Sequence, residues 1–542
     1  MPTTPSMPRP VVERRHVHGL PRVTVGVESV GRTGAGDVTT AAAVEEKSKL
    51  QRHFGRADIF FFLVCTLVGV GGLGTLTTSG GEGFTWLLIC MLLFAVPSAL
   101  LLAELGAAYT DEGGPYVWVR MAFGRLAGGV NNFFYWVTNP VWMGGTLVGT
   151  ALGGFVTFYN DGQDYSTTTK YVVAAIFIWI GVLFAILSFE VGKWIATIGA
   201  VARFLLLGLF SVLVVVYGLE NGFHGPDAGT YVPSLGGFVS LVPLILFSLV
   251  GFELPSAAGE EMKDAARDVP AGIIKSVVAT GLLYGLPVLG ILVVLPSDQT
   301  SGFAGFPAAV RQTLTVFGGS VVTNDDGTVT ATLSGFGTAI GWLLGALVAV
   351  VAFTSGLTWI MGCDRTLAVS CYDGAGPCAL GKFSARFGTP LRVNVLSGVI
   401  SSAVFVLTTE ITEGNAHKFF AVALNLAIST TLISYLGIFS AAWRLRVMHP
   451  DRPLPFRAPA VRTLTLISMA WILFCTLQVL FPGLGDDWFG DAYRPGDDWT
   501  VDERWTYLFT ELVPLVVFTA IAVAFWWIGR REQPDAAVQE TR

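Results

Sequence analysis

Charge is what this sequence has least of. Asp, Glu, Lys and Arg make up 13% of its 542 residues, about half the share of a soluble domain. With hydrophobic residues at 52%, an ordinary soluble enzyme is excluded, because its core could not absorb so much apolar surface. Cysteine is scarce as well. Of the six, Cys65, Cys90, Cys363 and Cys475 fall within apolar runs, Cys371 ends one and Cys378 lies just beyond. No outer loop holds a pair, so no disulfide framework is expected. CxxC and HExxH patterns are missing, and none of the six histidines lies near the middle of an apolar run. No metal site, thiol chemistry or cofactor is implied, and nucleic acid is not expected as a partner.

What the sequence has instead is long apolar runs, with a mean hydropathy of +0.62. Runs of about 18 or more apolar residues can span a bilayer as helices. Twelve are legible, at about 57–79, 85–108, 126–158, 171–189, 194–218, 236–258, 271–295, 337–370, 391–409, 419–445, 462–484 and 506–528. They are apolar all round, where barrel strands would alternate. The expectation is an all-α integral membrane protein whose first partner is the lipid bilayer. The organisation reads as a disordered tail over 1–55, a membrane domain over 56–530 and a short polar tail over 531–542. No apolar core follows the early arginines, so the N-terminus does not read as a signal peptide.

Basic residues are unevenly shared among the loops. Lys170, Arg311, Lys418, Arg494 and Arg504 lie on one side and Arg203 sits inside an apolar run, while the remaining 27 of 33 lie on the other side or in the tails. By the positive-inside rule both termini are expected in the cytoplasm and the protein in the cytoplasmic membrane. Asn324-Asp325-Asp326-Gly327 marks a turn in the long outer loop.

Two runs are internally broken. The first carries four glycines in six positions, Gly69 to Gly74, and each interior glycine costs a helix about 1 kcal/mol relative to alanine. The sixth carries Ser248, Gly251 and Glu253 mid-run, with Pro255 just after. Interrupted helices at membrane depth are tolerated where their free backbone groups line a cavity. Matched interruptions five helices apart point to a transporter's midplane site. Free amides can hold a carboxylate and free carbonyls an ammonium, so an amino acid suits such a site without charged side chains. Gly69, Gly71, Gly72, Ser248, Val250 and Gly251 are the candidates.

Four further motifs follow in order. They are Asp111-Glu112-Gly113-Gly114-Pro115-Tyr116; Phe247 to Glu253 with Glu260-Glu261 and Asp268-Val269-Pro270; Tyr372 to Pro377 with Phe387-Gly388-Thr389-Pro390; and Tyr435 with Leu445-Arg446, Pro450 and Pro455-Phe456-Arg457. Together they resemble the amino acid–polyamine–organocation transporters over about 57–529. The resemblance implies a leucine-transporter type of fold, with two inverted five-helix repeats and two extra helices. Gly74 is followed by Thr75-Leu76, where that family usually has an aromatic residue. By the resemblance Phe247 takes the place of a gating tryptophan and Trp359 that of a tryptophan lining the site. Arg203, where relatives commonly have lysine, would approach the break in the first helix and Ser355 in the eighth. Sodium-coupled members of the fold hold their ion there, so a fixed cation implies sodium independence.

Glu253 is a carboxyl at membrane depth, which marks a coupling or gating residue. Glu104 and Glu190 lie near span ends, an interfacial placement. Asp364 and Arg365 are expected to pair with loops beside the eighth span. Tyr135-Trp136 and Asn139-Pro140 supply polar groups and a kink to the third. The expected function is secondary transport of an amino acid, by exchange or proton coupling. A polyamine or other amine is the alternative within transport, and a non-transporting sensor the alternative of another class. The particular substrate and the oligomeric state are left open.

Overall fold

Among the described residues of the structure, a computed structural model, ten helices are long and apolar enough to cross a membrane. The structure describes residues 54–187, 189–223, 225–294, 305–323, 329–412, 415–481 and 499–533. Nearly all of the two expected tails, the turn signal at 324–327 and the side chain of Glu190 lie outside the described residues. In chain order the helices are α1 Arg56–Leu67, α2 Gly81–Ala108, α3 Pro115–Phe123, α4 Arg125–Tyr159, α5 Thr167–Leu187, α6 Phe189–Asn221, α7 Leu235–Ser248, α8 Ala265–Val294, α9 Gly305–Thr313, α10 Phe336–Ser370, α11 Leu391–Ile411, α12 Ala416–Met448, α13 Val461–Leu480 and α14 Arg504–Glu532.

The first and sixth crossings are not continuous helices. At 1.5 Å per residue, α1 and α7 reach only about 18 and 21 Å, short of a hydrocarbon core of about 30 Å. Each completes its crossing through an irregular stretch and a 3-10 turn, Thr75–Thr77 after α1 and Leu254–Glu261 after α7. The twelve expected spans are therefore ten continuous helices and two interrupted ones.

Four of the five pairs of crossings five places apart pack on each other. The α1 crossing meets the 3-10 turn that completes the α7 crossing; α2 packs on α8, α4 on α10 and α5 on α11. This pairing is what two interleaved five-helix repeats produce. The last two helices stand apart from it, α13 against α12 and α14 against α4. Outward faces carry exposed apolar side chains such as Val516, Phe509, Leu343 and Trp194. Lipid solvates such a surface and water does not. A small antiparallel hairpin, β1 Gly319–Thr323 with β2 Val329–Leu333, brackets the expected turn in register Gly319 to Leu333 and Thr323 to Val329.

Candidate functional site

A helix that ends inside a protein leaves its last carbonyls without intrahelical partners. At the end of α1 four successive carbonyls each receive a side-chain donor. Ser355 Oγ donates to Cys65 O at 3.4 Å, Trp359 Nε1 to Thr66 O at 3.2 Å, the Tyr284 phenol to Leu67 O at 2.8 Å and Arg203 Nε to Val68 O at 2.6 Å. The donors come from α10, α8 and α6, so the break is held open from three sides. Tyr284 also accepts the Gly69 N–H at 3.0 Å, bridging the first residues of the gap.

Arg203 is fully buried and does not line the cavity. Besides Val68 it donates to Gly199 O at 2.8 Å, Thr354 Oγ1 at 3.0 Å, Val351 O at 2.9 Å, Cys65 Sγ at 3.3 Å and Ser355 Oγ. A guanidinium offers five N–H donors in a fixed fork. Here they tie α1 to α10.

The second break is built differently. Gly251 has φ +121°, a conformation that favours glycine. Its N–H donates to the Tyr435 phenol at 2.7 Å, and that phenol donates on to Glu253 Oε2 at 2.5 Å. The Tyr135 phenol donates to Glu253 Oε1 at 2.8 Å. Glu253 is fully buried, its two oxygens clamped between α4 and α12. Arg203 in the fifth crossing thus supports the break in the first, and Tyr435 in the tenth supports the break in the sixth.

Between the breaks lies a cavity of about 50 Å³. Of the residues singled out in the sequence, Gly69, Gly71, Gly72, Phe247, Ser248, Val250, Trp359 and Ser355 line it. Gly251, Glu253 and Arg203 stand behind its wall. Among the described residues the amides of Val70, Gly71 and Gly72 donate to no protein acceptor, and the carbonyls of Phe247 and Ser248 receive no donor. The carbonyls of α1 are engaged, so those ending α7 are the ones open to an ammonium. Three rings close one end. Trp142 packs edge to face on Phe247, centroids 6.0 Å apart, and on Trp359 at 5.8 Å.

Sequence reasoning missed Trp142, Tyr284 and four threonines, Thr66 on α1 and three on α4. The spacing carried the signal. Thr138, Trp142, Thr146 and Thr150 recur every four residues along α4 and all line the cavity. Ser276, Thr280 and Tyr284 recur likewise on α8, all buried. Pro140 interrupts this part of α4, and a π-helical turn follows at Met143–Leu147.

Away from the cavity the loops are laced by ion pairs. Arg365 Nη1 reaches Glu112 Oε1 at 2.8 Å and Glu261 Oε1 at 2.5 Å, all three side chains buried. Burial outweighs the Arg365 charge and, with the Glu261 charge beside it, pushes the Glu112 carboxyl up to about 8. Asp373 accepts from the Tyr116 phenol at 2.6 Å and from Arg120 at 2.8 Å. Asp364 does not join its neighbour in this network. It accepts from Trp136 on α4 at 2.9 Å and Ser397 on α11 at 2.6 Å, because its side chain leaves α10 toward those helices and not toward the loops. Glu104, read as interfacial, is buried against Arg446, whose Nε donates to it at 2.7 Å. Among the described residues no cluster of His, Cys, Asp and Glu could hold a metal ion.

An amino acid permease family model matches residues 54–489, most of the chain. Relatives include a probable agmatine/putrescine antiporter of Lactococcus lactis, 24% identical over 431 residues, 78% of this chain and 85% of that protein. An uncharacterized transporter of Legionella pneumophila is 27% identical over 439 residues, 78% and 88% of the two chains. A branched-chain amino acid permease of Bacillus subtilis is 25% identical over 458 residues, 81% and 90%. With its helices, its matched breaks and the cavity between them, this chain belongs to the amino acid permease family and is a multi-pass membrane transporter, not an enzyme.

Proposed function

We propose that this protein carries an amino acid or a closely related amine across the cytoplasmic membrane, by exchange or with protons and without sodium, and that both termini face the cytoplasm. One observation supports the reading above the others: unengaged amides at Val70–Gly72 and unengaged carbonyls at Phe247 and Ser248 border one cavity. An α-amino acid presents a carboxylate and an ammonium a short distance apart and satisfies both sets. Neither group then enters hydrocarbon unpaired. The site residues of this reading are Gly69, Gly71, Gly72, Phe247, Ser248, Val250, Gly251 and Trp359, with Glu253, Arg203 and Ser355 in coupling and gating.

Sodium independence follows from Arg203. Its guanidinium fills the space between Val68 O and Ser355 Oγ, and a sodium ion there would meet a fixed positive charge. Arginine cannot release its proton in proteins, so Arg203 acts as a cationic strut and Glu253 is left as the proton-carrying candidate. The test is flux of labelled amino acids and amines into proteoliposomes of the purified full chain. Saturable uptake or counterflow of one of them is expected, and no flux of any compound would remove the reading.

A further inference from the structure

The geometry points to amino acids with uncharged, apolar side chains as the substrate class, and to Thr146 as a substrate-binding residue; this rests on the transport reading above. Among the described residues the cavity wall contains no Asp, Glu, Lys, Arg or His. The two buried charges nearest it are engaged elsewhere. Arg203 spends its donors on α1, α6 and α10, and Glu253 has both oxygens taken by tyrosines. A charged substrate side chain would enter without a counter-charge.

Leu147, Leu244 and Leu424 stand beside the three rings, and the Thr66, Thr138, Thr150 and Ser248 hydroxyls in the wall are given to carbonyls of their own helices. Trp142 and Trp359 are the groups a cation would use. They are 9% and 4% exposed and pack edge to face on each other, and the Trp359 indole N–H is already given to Thr66 O. Ring attraction alone does not offset the desolvation of a buried ammonium or guanidinium. A diamine is disfavoured a second time, since it has no carboxylate for the open amides.

Thr146 supplies an independent sign of a ligand. It is 4% exposed, and its Oγ1 has no hydrogen-bond partner among the described residues. Its methyl lies 3.6 Å from where a Cβ on Gly71 would stand, so its side chain borders the open amides. Buried hydroxyls are nearly always paired. A substrate carboxylate held by the Gly71 and Gly72 amides would give this one its acceptor.

The test uses the purified full chain. Thermal shift and proteoliposome uptake are measured with leucine, valine, phenylalanine, lysine, arginine, glutamate, putrescine and agmatine. Ligands that bind only the folded protein raise its melting temperature by mass action. The apolar amino acids should bind at least about 100-fold more tightly than lysine, glutamate or putrescine, the scale of an uncompensated buried charge. A charged amino acid or an amine as the best ligand overturns the class assignment and leaves the transport reading standing. No shift and no flux across the panel overturns both. Thr146→Ala should weaken binding about tenfold, and Thr146→Ser, which keeps the hydroxyl, should restore it. If Ala binds as tightly as the parent, or Ser as poorly as Ala, Thr146 has no part in binding.

Discussion

Arg203 Nε donates to the Val68 carbonyl at 2.6 Å, so a permanent cation is bonded to the residue at which α1 unwinds. The same guanidinium reaches Val351, Thr354 and Ser355 on α10. Arg203→Ala removes this link and leaves the buried Val68 carbonyl unpaired, a cost of about 1–3 kcal/mol. Transport should fall at least tenfold. In the parent, uptake should be equal in sodium and in choline buffers, and a requirement for sodium would contradict the role given to Arg203.

Gly71→Leu and Gly251→Leu should each abolish substrate binding while the protein still inserts into membranes. A Cβ on Gly71 would stand 2.3 Å from Thr150 Oγ1, inside the cavity. At Gly251 it would meet Trp359 at 3.1 Å, and φ +121° is strained for any L side chain. Uptake and detergent-solubilised yield are measured side by side; normal uptake in either variant places the site elsewhere.

Glu253→Gln should change the pH dependence of transport. The carboxylate accepts from both Tyr135 and Tyr435, whereas an amide presents one acceptor and one donor to the same two phenols. The titratable group is lost while the volume is kept. Uptake is followed from pH 5 to 8 in both proteins, and an unchanged profile would assign Glu253 a structural role.

The Glu112 carboxyl, outside the spans, gives a stability prediction with a definite sign. Burial raises it from 4.5 to about 8, so the folded state holds its proton more tightly than the unfolded chain. Stability from this group is full below pH 4.5 and is lost as pH rises toward 8. The Arg365, Glu261 and Glu260 charges all face this carboxyl. Melting temperature should fall more steeply between pH 5 and 8 in the parent than in Glu112→Gln. Parallel curves would mean that Glu112 is ionised throughout.

Cytoplasmic termini are testable by labelling. Single cysteines placed at Pro10 and Asp535 should resist an impermeant thiol reagent in intact cells and react after permeabilisation. Labelling from outside would reverse the topology inferred from the uneven basic residues.

Composition and periodicity alone determined that this chain lives in a membrane, how many times it crosses, and where two crossings break. Those properties are local: an apolar run long enough to span, or glycines dense enough to stop a helix, acts through its own backbone. The residues that build the breaks into a site were decided by tertiary structure. Tyr284 lies 215 residues from Gly69, and Tyr435 lies 184 from Gly251. One-dimensional spacing placed Thr138, Trp142, Thr146 and Thr150 on a single face of α4, but not the direction in which that face points. Asp364 and Arg365 show the same limit, adjacent in the chain yet turned to different partners. Which carbonyls are engaged, which amides stay open and where each buried charge finds its partners depend on helix packing, because an unpaired polar group at membrane depth takes whichever donor or acceptor the fold brings within 3 Å or so.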